Sequence, residues 1–315
     1  MPMQSAATAV VTAIVRHALR FAAVACVALA ATSVAAAGGP EALAARYAEW
    51  QRTTALDATG PRLAIASNDA SDRMRGDIEG VVPAGFALLA AHVLSPRDWC
   101  DIALLHLNVK TCTYEREAGV DTVTFYSGSK QYETPGNAYP LRYTFRVDAA
   151  RADYVAVTLT AAAGPLDTRD YAIVVEAIPA DAQSFVHLSY AYRPSTASRL
   201  ATSAYLATAA SAKNGFSVIG HDRDGRPTYV RGVRGIVERN AVRNFLAIEA
   251  FVDSVDAPAP QQLTRRFERW FELTERYPEQ LHELERGEYL ASKQREYRQQ
   301  VALQQAIDAG GTTAH

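Results

Sequence analysis

Few residues in this 315-residue chain stand at spacings that do chemistry. Ser127 and Lys130 match S-x-x-K, the spacing at which a lysine one helical turn away activates a serine. Here the pair follows a strand-like run and falls in a glycine-bearing turn, without the companion motifs. Asp222, Asp224 and Gly225 open like a calcium loop, yet the later oxygen ligands and the closing glutamate are missing. There is no G-x-S-x-G, no phosphate-cradling glycine loop and no H-E-x-x-H, and the seven histidines lack metal-ligand spacing. No cofactor is implied. His187 reads as a strand histidine hydrogen-bonded within a sheet.

What remains is polar groups set in apolar surroundings. Residues 235–255 carry helical periodicity, with Ile236, Val237, Ala241, Ile248, Phe251 and Val252 on one face and Glu238, Arg239 and Glu249 elsewhere. Pro258 and Pro260 then stop the helix. Asn240 and Asn244 fall in the middle of the apolar face. A buried amide left without partners costs about 1–3 kcal/mol. The pair therefore either bonds backbone or a neighbouring helix, or offers polar points to a ligand. Arg243 flanks the same stripe, placed to meet an anionic headgroup or to form a surface ion pair.

Such a helix needs a surface to cover, and the chain supplies one. After Asn108 the period changes to two, with strands expected over 109–116, 120–126, 139–147, 154–160, 171–178 and 185–192. Tyr139, Leu141, Tyr143, Phe145 and Val147 share a face, with Arg142, Thr144 and Arg146 opposite. Val155, Val157 and Leu159 alternate with Tyr154, Thr158 and Thr160 in the same way. One face buried and one wet is the pattern of an antiparallel meander. Ahead of it lie a helix over 41–56, short strands at 62–66 and 73–82, and short helices over 83–94 and 96–106. Between meander and covering helix, residues 194–212 read as a further helix, with Leu200, Ala204 and Ala207 in its stripe. Residues 261–307 read as a helical pair broken at Pro278, its second half much more polar. That half is either a solvated helix leaning on the core or an arm for a protein partner.

About half of the chain is apolar and its formal net charge is −2, with both signs mixed. Nothing in this balance points to nucleic acid or to an anionic membrane surface as a partner. The first 37 residues differ, with no acidic residue, Arg16 and Arg20, an apolar run, and small residues at Ala35, Ala36 and Ala37. They read as a signal peptide cleaved near Gly38, directing the chain to the periplasm, with a retained anchor as the alternative. Cleavage would remove Cys26 and leave Cys100 and Cys112. In an oxidising compartment that pair suggests a disulfide, and otherwise two buried thiols.

The order of helix, two strands, two short helices, antiparallel run and long helix resembles the helix-grip fold of START-like lipid-transfer domains. The passage from Val93 to Cys112, with Trp99 between short helices and third strand, and the passage from Phe185 to Tyr192 are similar to the corresponding segments of that family. The resemblance spans residues 63–255. It implies an α+β fold in which a curved antiparallel sheet wraps around a long helix, with a hydrophobic, lipid-like ligand between them. The helix over 194–212 departs from the pattern, since the last strand normally leads directly into the gripping helix, and it leaves open which of the two helices grips. The segment over 256–315 is additional. Within the implied site, Tyr143, Phe145, Val157, Leu159 and Tyr190 are expected to line the cavity from the sheet, and Asn240, Asn244 and Arg243 from the helix. Transient membrane contact would accompany ligand transfer. An acid–base enzyme of the cyclase or aromatase type on the same fold is the alternative, and a scaffold acting through its C-terminal arm is a third reading.

Overall fold

Alternation of β-branched and aromatic residues with polar ones produces eight strands that join in one sheet. The computed structural model describes residues 38–53, 63–70, 72–207 and 213–310. The leader expected over 1–37, residues 54–56 and 208–212 of two expected helices, and residues 311–315 lie outside the described residues.

Helix α1 (Pro40–Thr53) leads to the hairpin β1 (Leu63–Ala70) and β2 (Arg73–Val82), then to the short helices α2 (Phe86–Val93) and α3 (Pro96–Leu104). The meander follows as β3 (Val109–Glu117), β4 (Val120–Ser127), β5 (Tyr139–Ala150), β6 (Val155–Ala163), β7 (Arg169–Ala180) and β8 (Gln183–Arg193). The sheet order is β1-β2-β8-β7-β6-β5-β4-β3, with each neighbouring pair antiparallel. The last strand thus returns beside the early hairpin, leaving β1 and β3 as the edges. Beyond the sheet come α4 (Thr196–Ala207), a small hairpin β9 (Val218–His221) and β10 (Pro227–Tyr229), and α5 (Gly232–Ser254). Helices α6 (Ala259–Thr274), α7 (Pro278–Leu281) and α8 (Arg286–Asp308) complete the described chain.

Strand period decides which face each residue takes. Leu141, Tyr143, Phe145, Val155, Val157 and Leu159 join α5 in the main core, whereas Tyr154 and Ala156 point the other way. On that second face α1 lays Leu43 and Trp50 against Phe185 and Ile178. Tyr139 and Val147, expected with the inward set, are exposed at 40% and 44%. They sit near the strand's two ends, and a bulge interrupts the register after Val147.

Helix α5 does the gripping, packing on β1, β2 and β8 and on its neighbours α2, α3 and α6. Gly76 on β2 permits the approach, because a Cβ there would stand 2.7 Å from a methyl of Val237. Far more of this helix is covered than one apolar stripe requires. Glu238, Arg239 and Glu249, expected off the buried face, are all buried. Glu238 accepts the backbone N–H groups of Phe216 (2.7 Å) and Ser217 (2.9 Å), which ties the preceding loop to the helix. Arg239 donates to the Asn214 carbonyl at 2.9 Å. The inserted helix α4 instead leans on the short turn Pro165–Asp167. Its Leu200, expected in a packed stripe, is 73% exposed.

Cys100 on α3 and Cys112 on β3 form the expected disulfide. The helices after Val255 are continuous with the core, and Phe267, Trp270, Leu273 and Tyr289 belong to the same cluster as α5 and the sheet. The polar helix α8 lies along the β3 edge. Its Gln300 accepts from the Cys112 N–H (3.0 Å), and Gln304 both accepts from the Tyr114 N–H (2.9 Å) and donates to the Tyr114 carbonyl (3.0 Å).

Candidate functional site

Between α5 and the β7–β8 end of the sheet lies a cavity of about 900 Å³. Tyrosines form its sheet wall. Tyr190 and Tyr192, two apart on β8, face the same way, and Tyr171 of β7 stacks on Tyr192 with centroids 5.3 Å apart. The Pro165–Leu166 turn and Ala201 and Thr202 of α4 close one side. Leu166 reaches its place with φ at 55°, a left-handed conformation that side chains rarely adopt. Along α5 the wall runs from Ile236 and Val237 through Arg239 and Asn240 to Arg243, where Lys130, Asn108 and Glu283 join it.

The two ends differ in chemistry. At the tyrosine end the Thr168 and Tyr171 hydroxyls are 2.7 Å apart. Burial pushes the Tyr171 phenol up to about 12, against the opposing Thr168 bond. Burial, then neighbouring tyrosines, raise Tyr190 well above its ordinary value. These phenols stay protonated, and so offer ring faces and hydrogen-bond donors, not bases.

At the other end Glu283 meets Lys130 at 2.7 Å, Arg243 at 3.0 Å and Lys213 at 3.4 Å. Burial alone would raise its carboxyl, but the Lys130 bond and the charges of Arg243, Lys130 and Lys213 hold it below its usual range. Behind this end, His106 accepts from the Asn108 N–H at 3.1 Å and bonds the Asn240 side chain. Burial, then the charges of Arg243, Lys293 and Lys110, push His106 well below its ordinary value, so it is neutral.

Of the residues expected at the site, Tyr190, Asn240 and Arg243 line this cavity. Tyr143, Phe145, Val157 and Leu159 lie in the packed core, Tyr143 edge-on to Tyr171 at 6.4 Å. Asn244 is half-buried and is not among the cavity's walls. Sequence reasoning passed over Tyr171, Tyr192, Arg239 and Glu283. The two-residue period that picks Tyr190 also picks Tyr192, so that signal was present. Glu283 carries none, because it sits in a link between helices and arrives only through the tertiary fold.

The motifs with catalytic spacing take structural parts. Lys130 of S-x-x-K pairs with Glu283, and Asp222 accepts the N–H groups of Asp224 (2.8 Å) and Arg226 (2.9 Å) to make the β9–β10 turn. The cavity's serines, Ser129 and Ser198, donate to the carbonyls of Gln131 (3.4 Å) and Ser195 (3.0 Å). Among the described residues no group of three His, Cys, Asp or Glu could hold a metal ion, and no helix is long and apolar enough to cross a membrane.

A second polar cluster lies on the opposite face, under α1. His187 holds Glu176 through Nδ1 and Asp77 through Nε2, both at 3.0 Å. Tyr154 donates to Glu176 at 2.7 Å, and Arg75 donates to Asp77 at 2.7 and 2.8 Å.

Strand order, gripping helix and the cavity between them define an α+β helix-grip fold. No family model matches the chain, and no curated protein matches its sequence. Among solved structures it is similar to Ara h 8.0201, at 12% identity over 61% of this chain and 99% of that one, with a TM-score of 0.33. Human StAR-related lipid transfer protein 5 is similar at 11% identity over 55% and 89% of the two chains, with a TM-score of 0.29. Human STARD10 is similar at 9% identity over 56% and 77%, with a TM-score of 0.30. Likeness at this level goes no further than the fold, which rests on the chain's own topology.

Proposed function

We propose that this chain is an exported binding protein for a hydrophobic small molecule, lipid-like in character, held between the β7–β8 tyrosines and α5. The observation that carries the reading is the cavity itself. Its volume of about 900 Å³ falls within the range of small-molecule sites, and tyrosine rings with Leu166, Ile236, Val237 and Leu284 give it apolar surface beside a polar, charged end. Binding would remove the apolar part of the ligand from water, at about 25 cal/mol for each Å² buried. The polar groups along α5 would fix its orientation. Export to the periplasm is supported by the acid-free leader pattern and by the Cys100–Cys112 disulfide, which persists in oxidising compartments. Acid–base catalysis is less well supported, because the cavity phenols are shifted away from neutrality.

The test is titration with Nile red, a neutral apolar dye. Saturable uptake is expected, and Thr202→Trp, which projects an indole into the cavity from α4, should weaken it while leaving the thermal midpoint unchanged. Absence of saturable uptake, or uptake indifferent to Thr202→Trp in a folded protein, sinks the reading.

A further inference from the structure

We infer that the ligand is a neutral carbonyl compound (a ketone, an ester or a quinone) whose oxygen accepts hydrogen bonds from the Tyr190 and Tyr192 hydroxyls. The inference rests on the binding reading above and adds the chemical class of the ligand and the point at which it is held.

Much of the cavity's polar capacity is already spent within the protein. At the basic end Lys130 and Arg243 are engaged by Glu283, and Arg243 and Arg239 also donate to the carbonyls of Leu281 and Asn214. Tyr171 is engaged as well. Thr168 gives its proton to the Pro165 carbonyl at 2.6 Å, so its 2.7 Å contact with Tyr171 carries the Tyr171 proton to Thr168. Tyr190 and Tyr192 differ. Their rings touch Tyr171 and each other, with their own centroids 5.8 Å apart, but neither hydroxyl bonds another group among the described residues. Neither hydroxyl is sealed inside protein, and both residues wall the cavity, so the space these hydroxyls meet is the cavity.

The fold fixes the two donors together. They stand two apart on β8 and project from one face. That strand is held on both flanks, with Gly76 of β2 and Ile173 of β7 beside Tyr190, and Met74 of β2 beside Tyr192. Burial raises both phenols, so they keep their protons and act as donors. The same surroundings resist a negative charge, which disfavours a carboxylate at this point. A ligand that displaces water from such donors must return an acceptor, or the donors are left unpaired. A carbonyl oxygen has two lone pairs and brings no proton of its own, so one group can answer two donors. A site built to bond such an oxygen rejects the analogue that lacks it.

The experiment displaces Nile red from the full chain with 9-fluorenone, fluorene and carbazole, flat tricycles of one shape, and with fluorene-9-carboxylate. The first carries a carbonyl acceptor, the second no polar group, the third an N–H donor and the last an anion. Fluorenone should displace the dye at concentrations below those of the other three by about two- to tenfold, the effect of one neutral hydrogen bond. Tyr190→Phe combined with Tyr192→Phe keeps both rings and removes both hydroxyls. Because those hydroxyls bond nothing in the protein, the thermal midpoint should not fall, whereas the preference for fluorenone over fluorene should disappear. Either single variant should show part of that loss. Equal potency of the tricycles, tightest binding by the carboxylate, a lowered midpoint in the double variant, or a fluorenone preference that survives in it overturns the inference while leaving the binding reading standing. If the dye is not taken up at all, the binding reading fails and this one with it.

Discussion

His187 holds two carboxylates at once, and its surroundings set how the fold responds to pH. Burial alone would favour the neutral ring, but the bonds to Asp77 and Glu176 outweigh it and raise the imidazole above its ordinary 6.5. Burial would likewise raise Asp77 and Glu176, and here too the pairing wins, holding them below their ordinary 3.8 and 4.5. The histidine's contribution is fully present below pH 6.5 and is lost as pH rises through its raised folded value. The carboxylates contribute above 3.8 and 4.5 and lose that contribution as pH falls through their lowered folded values. The thermal midpoint should therefore be highest between pH 4.5 and 6.5 and decline on both sides. His187→Gln should destabilise by about 3–5 kcal/mol, since it leaves the buried Glu176 without its cation while Asp77 keeps Arg75, and should flatten the alkaline limb. An unchanged alkaline slope in that variant would count against the network. The sequence marks His187 as a bonded strand histidine, because period and residue type suffice for that. It cannot mark Asp77 and Glu176 as its partners, since they come from two other strands. Glu238 and Arg239 mislead for a related reason, as their charge suggests solvent while a returning loop covers them.

At the scale of elements, the least apolar helix has the most specific task. Strand β3 ends the sheet, and its free N–H and C=O groups would otherwise be open to pairing with another chain. Gln300 and Gln304 of α8 are four residues apart, about 6 Å on a helix, and Cys112 and Tyr114 are two apart, about 6.8 Å on a strand. The near match lets successive turns of the helix serve successive strand residues. Below them Lys110 and Lys293 share Glu296 at 3.1 and 2.8 Å, with burial lowering Lys293 to about 8 against the pull of Glu296. Replacing both glutamines by alanine should lower stability by about 1–3 kcal/mol for each strand N–H left unpaired, read by urea unfolding. Aggregation should rise with it. Full stability in the double variant would mean that the caps contribute nothing. The eight strands and the helix over 235–255 were legible because each is written in local periodicity, but which of the two late helices grips the sheet was not, since that is decided by packing between distant elements. The fit of α8 to an edge was not, because glutamine at helical spacing looks the same whether it faces solvent or a strand.

Across the whole molecule, the disulfide fastens α3 to β3, twelve residues apart. Reduction should cost about 3 kcal/mol by releasing the unfolded chain, and should appear as a lower thermal midpoint in dithiothreitol. A midpoint indifferent to reductant would show that the link adds no stability. The fold class and part of the cavity wall could be read in advance, whereas the basic end could not, because Lys130, Arg243 and Glu283 come from three distant stretches. That distance has a temporal side. Gln300 and Gln304 serve strand groups 188 and 190 residues before them. A chain made from its N-terminus therefore presents β3 long before its cover exists. Until α8 arrives the sheet waits with one seam unsewn, and contacts of such long range form slowly. The window in which this protein is most exposed to mispairing therefore runs from the emergence of β3 to that of α8 in the compartment where the chain folds.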